Sequence, residues 1–281
     1  MFSYRHIYHA GNFADVMKHI TLTFTLQALH QKDKPIFFLD CHAGIGRYDL
    51  HAEQAVQTGE YHQGIEKLWQ EQDLPCVLQP YMDAVRSLNT DQALRYYPGS
   101  PGLARYLLRP QDRMALVELN KYDFATLKNE FAGDRQVTVH LQDAYQSLKA
   151  FLPPRERRGL VLIDPTFELK DEYQRLMEGI VTGWKKWPTG CFAIWYPLMS
   201  PTQVNTFHKA MRATEIPDVL CVELAIAPLR DPPRMSGSGM LIINPPWQLD
   251  IQLKNILPWL LQRLAIGEPG GTRVEWLSAP K

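Results

Sequence analysis

The sequence predicts an α/β fold: a Rossmann-like, mainly parallel sheet between helices, carrying a small helical insertion. Three observations predict it. Short apolar runs bounded by turn residues recur along the 281 residues, longer stretches with helical spacing separate several of them, and residues from about 48 to 100 break the rhythm. Strands alternating with helices make βαβ units and parallel pairing.

In chain order, 36–39 (IFFL), 114–119 (MALVEL), 137–141 (VTVHL), 159–163 (GLVLI) and 191–196 (CFAIWY) read as strands. The first runs are almost purely apolar, as strands covered on both faces are. Stretches 122–131 and 173–184 carry helical spacing. The late runs 220–225 (LCVELA) and 240–244 (MLIIN) are joined by APLRDPPRMSGSG, which predicts a long hairpin at one side of the sheet. The window 48–100 is rich in Gln, Glu, Leu and Tyr and has no strand-like run. It reads as a helical insertion after the first βα turn, leaving 1–47 and 101–281 as the main domain. The tail from 269 to 281 is expected to be loosely held.

Hydrophobic residues make up 45% and charged residues 21%, an ordinary globular mix. The formal net charge is +0, so no global positive field announces a nucleic-acid partner, although a local basic face remains compatible. Cys41, Cys76, Cys191 and Cys221 are scattered without a C-x-x-C pair, which argues against a zinc ribbon or a disulfide framework. The N-terminus is too polar for a secretory signal. No apolar run approaches the roughly 20 residues of a membrane span. A soluble, cytoplasmic protein is expected.

The turn after the first strand is Asp40-Cys41-His42-Ala43-Gly44-Ile45-Gly46. Its glycines permit positive φ and a close backbone approach to a ligand. A dinucleotide loop would read G-x-G-x-x-G, but Arg47, Tyr48 and Asp49 follow Gly46 and the third glycine is missing. An acid at the strand end followed by A-G-x-G suits S-adenosylmethionine, whose sulfonium and ammonium a carboxylate stabilises. A tight strand–helix turn with no ligand is the alternative reading of the loop by itself. Glu118 closes the next strand, where nucleoside-binding α/β folds place an acid on the ribose hydroxyls. Asp143 follows the strand after that, within reach of an adenine amino group. Three acids at successive strand ends favour a cofactor site.

The buried-looking run 159–163 leads into Asp164-Pro165-Thr166-Phe167, which resembles the D-P-P-Y tetrad of amino-group methyltransferases acting on adenine N6. An aromatic amine is a poor nucleophile because its lone pair is delocalised. A carboxylate (Asp164) and a carbonyl (Pro165) accepting its two N–H groups would favour the nucleophilic form. Phe167 offers a flat face to a flipped base. Asn244-Pro245-Pro246-Trp247 formally matches an N-P-P-aromatic tetrad better, but it follows a strand of the late hairpin and is expected to be a structural turn.

Residues 4–19 are dense in polar and aromatic groups. Lys18 is placed to pair the cofactor carboxylate, Tyr4 and His6 to contact a base, and a helix is expected to be capped near Asn12. His6, His9, His19 and His42 lack tight ligand spacing, and no metal is expected.

Over essentially its whole length the chain resembles the RlmJ family of bacterial 23S ribosomal RNA adenine-N6 methyltransferases. The motifs that carry the resemblance are YRHIYHAGNFADVMKH (4–19), KPIFFLDCHAGIGRYDL (34–50), YPGSPGLAR (97–105), ELNKYD (118–123), QDAY (142–145) and GSGMLIINPPW (237–247). The resemblance implies a Rossmann-like class I methyltransferase sheet with a helical insertion, a monomer, and methylation of one adenine of 23S rRNA. It implies cofactor contacts at Lys18, His19, His42, Ser100, Glu118, Asp143 and Ala144, beside Asp40, Gly44 and Asp164 at the loop and tetrad. It also implies Asp164 as catalytic acceptor and Tyr4 facing the RNA. The departure is Thr166 and Phe167 where the family has Pro and Tyr; a proline there would rigidify the acceptor loop. A weak or silent RNA-binding homologue, and an N-methyltransferase with another acceptor, stay open as alternatives.

Overall fold

The computed structural model describes residues 4–91, 93–230 and 234–279, and each strand expected from the sequence forms. After a short turn of 3-10 helix come α1 (Phe13–His30), β1 (Phe37–Asp40) and β2 (Arg47–Asp49). Helices α2 (Glu53–Thr58), α3 (Ile65–Trp69) and α4 (Gln79–Arg86) lead to β3 (Tyr96–Pro98). Alternation then sets in with α5 (Ser100–Leu107), β4 (Arg113–Glu118), α6 (Lys121–Glu130), β5 (Val137–Leu141), α7 (Ala144–Phe151) and β6 (Gly159–Ile163). It continues through α8 (Glu172–Lys186), β7 (Cys191–Leu198), α9 (Pro201–Ala213), β8 (Val219–Ala225), β9 (Gly237–Ile243), α10 (Leu249–Leu264) and β10 (Gly271–Ser278).

The main sheet has the order β10-β8-β9-β7-β6-β1-β4-β5. Pairing is parallel from β7 through β6, β1 and β4 to β5, and antiparallel among β7, β9, β8 and β10. This is the Rossmann-like sheet expected. Strand order reverses at β1, which opens a crevice beyond the carboxyl ends of β1 and β6. One face packs on α1, α5, α10 and the insertion helices, the other on α7, α8 and α9.

Two expectations need correction. The tail expected to be loose forms β10, paired along β8 from Gly271↔Ala225 onward. The segment TRVEWLS is rich in β-branched and aromatic residues, and it covers an edge that β8 would otherwise leave open. Residues 280–281 lie outside the described residues. The stretch 48–100 carries helices α2, α3 and α4, but its ends pair as a ribbon, Arg47↔Pro98 to Asp49↔Tyr96. Strands of three residues are too short for a periodic signal. The late hairpin forms at one side of the sheet, with β9 between β7 and β8; 231–233 of its connection lie outside the described residues.

Helix α1 is buried from Ala14 through Leu26. Its interior hydroxyls are satisfied locally: Thr21, Thr23 and Thr25 donate to carbonyls four residues earlier at 2.9, 2.8 and 2.8 Å. Asn12 caps it as expected, accepting from the backbone of Ala14 and Asp15 at 2.9 and 3.0 Å. The insertion docks on this helix start. Asn12 donates to Glu60 at 2.9 Å, and Ile65 N–H donates to the Gly11 carbonyl at 2.8 Å. Gly64 makes that approach possible, because a Cβ there would sit 2.0 Å from the Gly11 carbonyl oxygen.

Asn244 lies at the opposite end of the strands from the crevice. Antiparallel β9 ends beside the start of β7, with Ile243 opposite Phe192. The Asn244 amide donates to the carbonyls of Pro188 and Gly190 at 2.8 and 2.7 Å. The expected structural turn is what forms.

Candidate active site

A cavity of about 460 Å³ opens at the carboxyl ends of β1, β4 and β6. Its wall brings together Tyr4, His6, Lys18, His19, His42, Gly44 and Ser100 with Glu118, Asp143, Ala144, Asp164, Pro165 and Phe167. Of the candidates from sequence, Asp40 alone stays off that wall.

The glycine turn explains one side. Gly44 and Gly46 take φ values of 60° and 85°. Gly44 N–H donates to Glu118 at 2.9 Å, and Asn120 N–H donates to the same carboxylate at 2.7 Å. Glu118 thus ties the β1 turn to the end of β4, and burial raises its pKa. Asp143 caps α7 by accepting from Tyr145 and Gln146 N–H, both at 3.0 Å. Its other oxygen accepts from Arg175 of α8 at 3.1 Å.

Asp40 was expected in the cofactor site, stabilising the sulfonium and ammonium; instead it lies fully buried behind the wall. Ser100 donates to it at 2.6 Å and His42 N–H at 3.2 Å. Burial pushes its carboxyl up to about 7. A residue that ends a fully buried strand has its side chain enclosed, so its influence on the cavity runs through Ser100.

Asp164 sits where the carboxyl end of β6 meets α1. Its backbone N–H donates to His42 Nδ1 at 3.1 Å, and burial keeps that imidazole neutral, with a pKa near about 4. Lys18 was expected at the cofactor carboxylate. Its ammonium instead lies 2.5 Å from Asp164 Oδ2 and 2.8 Å from Asp15 Oδ1. Burial opposes charging Lys18, yet the two carboxylates outweigh it and hold its pKa above the usual lysine range. Burial also opposes ionising Asp15, but His6 and Lys18 hold its carboxyl well below the usual range. The chain continues outward: Asp15 Oδ2 is 2.9 Å from His6 Nε2, and His6 Nδ1 is 2.7 Å from the Tyr4 hydroxyl.

Phe167 adopts φ 56°, an uncommon value for a side-chain-bearing residue. Its ring lies 4.7 Å from that of Tyr173 and 5.8 Å, edge to face, from that of Trp195. His19 lines the cavity with Nε2 buried and unpartnered among the described residues. An orphaned buried nitrogen calls for a ligand atom, and a nucleoside-linked amino acid such as S-adenosylmethionine brings oxygen acceptors of that kind. The residues present fit the cofactor.

Sequence reasoning missed Asp15, Tyr97, Arg175 and Trp195. Only Asp15 left a signal, three residues before Lys18 on one helix face. Among the described residues, the side chains grouped closely enough to suggest a metal are His208, Cys221 and Glu223. The Tyr196 hydroxyl already lies between them, 2.9 Å from His208 and 2.8 Å from Glu223.

A family model described as ribosomal RNA large subunit methyltransferase D, RlmJ, matches residues 33–278. Ribosomal RNA large subunit methyltransferase J of Escherichia coli K12 is 47% identical over 277 residues, covering 99% of each chain. The Haemophilus influenzae protein of the same name is 47% identical over 279 residues, again covering 99% of both. A crystal structure of a Legionella pneumophila protein superposes with TM-score 0.88 at 38% identity, over 95% of this chain and 98% of that one.

Proposed function

The chain belongs to the RlmJ family of ribosomal RNA large subunit methyltransferases, and on that premise we propose how its cavity divides the labour of methyl transfer. The reaction is S-adenosylmethionine-dependent methylation of an adenine N6 amino group in 23S rRNA. The bound cofactor supplies an electrophilic methyl group on a sulfonium. His19, His42, Gly44, Ser100, Glu118, Asp143 and Ala144 bind it, with Asp40 supporting Ser100 and the β1 turn from behind.

Asp164 and the Pro165 carbonyl accept the two amino N–H groups of the target adenine, and Phe167 stacks on the base. The observation that carries this assignment is how firmly Asp164 is held: His42 fixes its backbone and Lys18 its Oδ2. Oδ1 is left to accept from the amine. As nitrogen gains positive charge, the carboxylate lies beside it and takes the released proton. Lys18 therefore acts at the reaction centre, and Tyr4 and His6 face the RNA. Thr166 is exposed and His42 anchors Asp164 from outside the tetrad, so the acceptor does not depend on a second proline for its position.

Residues 1–47 and 101–281 form the methyltransferase domain, and 48–100 an insertion subdomain. The protein works as a metal-free monomer in the cytoplasm, where its RNA is. No helix among the described residues is long and apolar enough to cross a membrane.

The test is transfer of labelled methyl to unmodified 23S rRNA. Asp164→Asn should lose at least roughly a hundredfold in rate while still binding S-adenosylhomocysteine. A near-normal rate would remove Asp164 from the reaction centre.

A further inference from the structure

Tyr81 of α4 and Tyr97 of β3 come from the insertion, yet they reach the cofactor cavity from behind. Their hydroxyls are 3.0 Å apart, and the Tyr97 hydroxyl is 2.8 Å from His19 Nδ1. The Tyr97 ring also stacks on the imidazole, with centroids 5.5 Å apart and planes 18° from parallel. All three side chains are buried, Tyr81 and Tyr97 at 0% and His19 at 1% exposure. At the far side of the imidazole is the unpartnered Nε2.

The chain can carry its protons in two directions. If Nδ1 is protonated, it donates to Tyr97, Tyr97 donates to Tyr81, and the Tyr81 proton meets no further acceptor among the described residues. A buried donor left unmade is costly. If the direction is reversed, Tyr81 donates to Tyr97, Tyr97 donates to Nδ1, and every hydroxyl proton is used. What remains unmade is a tyrosine lone pair, and the ring proton sits on Nε2.

We propose that the helical insertion, through Tyr81 and Tyr97, holds His19 in the tautomer that presents Nε2–H to the cofactor. This rests on the reading of the cavity as an S-adenosylmethionine site. The matching acceptor is the cofactor carboxylate. Lys18, the cation best suited to that carboxylate, is committed to Asp15 and Asp164. Burial pushes His19 down to about 3, so the imidazole stays neutral and the tautomer decides whether it donates or accepts. The insertion thereby gains a part in cofactor binding, although it lies outside the sheet.

Two measurements test this. Nitrogen-15 NMR of the ligand-free wild type should show His19 neutral and protonated on Nε2. Calorimetry should show S-adenosylmethionine binding weakened roughly tenfold in Tyr97→Phe, the loss expected when one buried hydrogen bond is no longer enforced. The Tyr81→Phe/Tyr97→Phe double variant leaves no orphaned hydroxyl, so it should melt above Tyr97→Phe and still bind weakly. Decarboxylated S-adenosylmethionine should bind the wild type and Tyr97→Phe equally. Protonation on Nδ1 in the wild type, or a double variant binding within twofold of wild type, would overturn the proposal. Failure of the wild type itself to bind S-adenosylmethionine would overturn the underlying methyltransferase reading instead.

Discussion

Replacing Lys18 by Met keeps most of the side-chain volume and removes one buried charge. Lys18 is 4% exposed, and it serves Asp15, at 2%, and the partly accessible Asp164. Removing one member of a buried ion pair strands its partner, at a cost of about 3–5 kcal/mol. Asp15 keeps His6 and the Gly11 N–H, both at 2.9 Å, and Asp164 can draw on solvent. The loss should therefore fall near about 3 kcal/mol, a large share of the 5–15 kcal/mol that roughly bounds a domain's stability. Urea unfolding of the wild type, Lys18→Met, Asp15→Asn and the double variant measures it. The double variant should recover at least about 1 kcal/mol relative to Lys18→Met, since fewer charges are stranded. The pH dependence has a definite sign. Raised Lys18 stabilises below its unfolded pKa near ~10.4, and lowered Asp15 stabilises above its unfolded value near ~3.9, so the wild-type contribution is flat between them. Without Lys18 the buried Asp15 carboxylate holds a proton more readily in the fold, and the deficit should shrink from pH 8 to pH 5. A deficit under about 1 kcal/mol, or one equal at both pH values, would refute the reasoning.

Three further outcomes are expected. Phe167→Gly relieves a left-handed backbone worth about 1 kcal/mol but deletes the stacking ring; stability should stay near wild type while KM for RNA rises severalfold, and an unchanged KM would remove Phe167 from the base site. Gly64→Ala forces a Cβ against the Gly11 carbonyl oxygen and should cost about 3 kcal/mol in thermal or urea melts; a wild-type melting temperature would mean the insertion docks with slack. Burial raises the Asp40 carboxyl to about 7, so the folded state binds this proton more tightly than the unfolded chain. Wild-type stability should then lose ground as pH climbs from about 4 to about 7. Asp40→Asn should flatten that slope, and an unaltered slope would put its origin elsewhere.

What the sequence determined by itself is whatever a few neighbouring residues encode. The apolar runs around 36–39 and 159–163 specify buried strands because a strand covered on both faces has no polar side to show. Asn12 announces a helix start because its cap reaches only two and three residues ahead. Gly44, Gly46, Glu118, Asp143 and Asp164 were legible because a doubly wound sheet delivers successive strand ends to one crevice. The partners of long or buried side chains were not legible. Lys18 meets a carboxylate 146 residues away, Asp40 a hydroxyl 60 residues away, and His19 a phenol 78 residues away. β10 exists because β8 has an edge to cover, and Asn244 is a turn because β9 runs antiparallel. Local chemistry is written in spacing. The choice of which charge faces which, and which face of a strand sees the cavity, depends on packing between segments distant in the chain, and only the tertiary structure decided it.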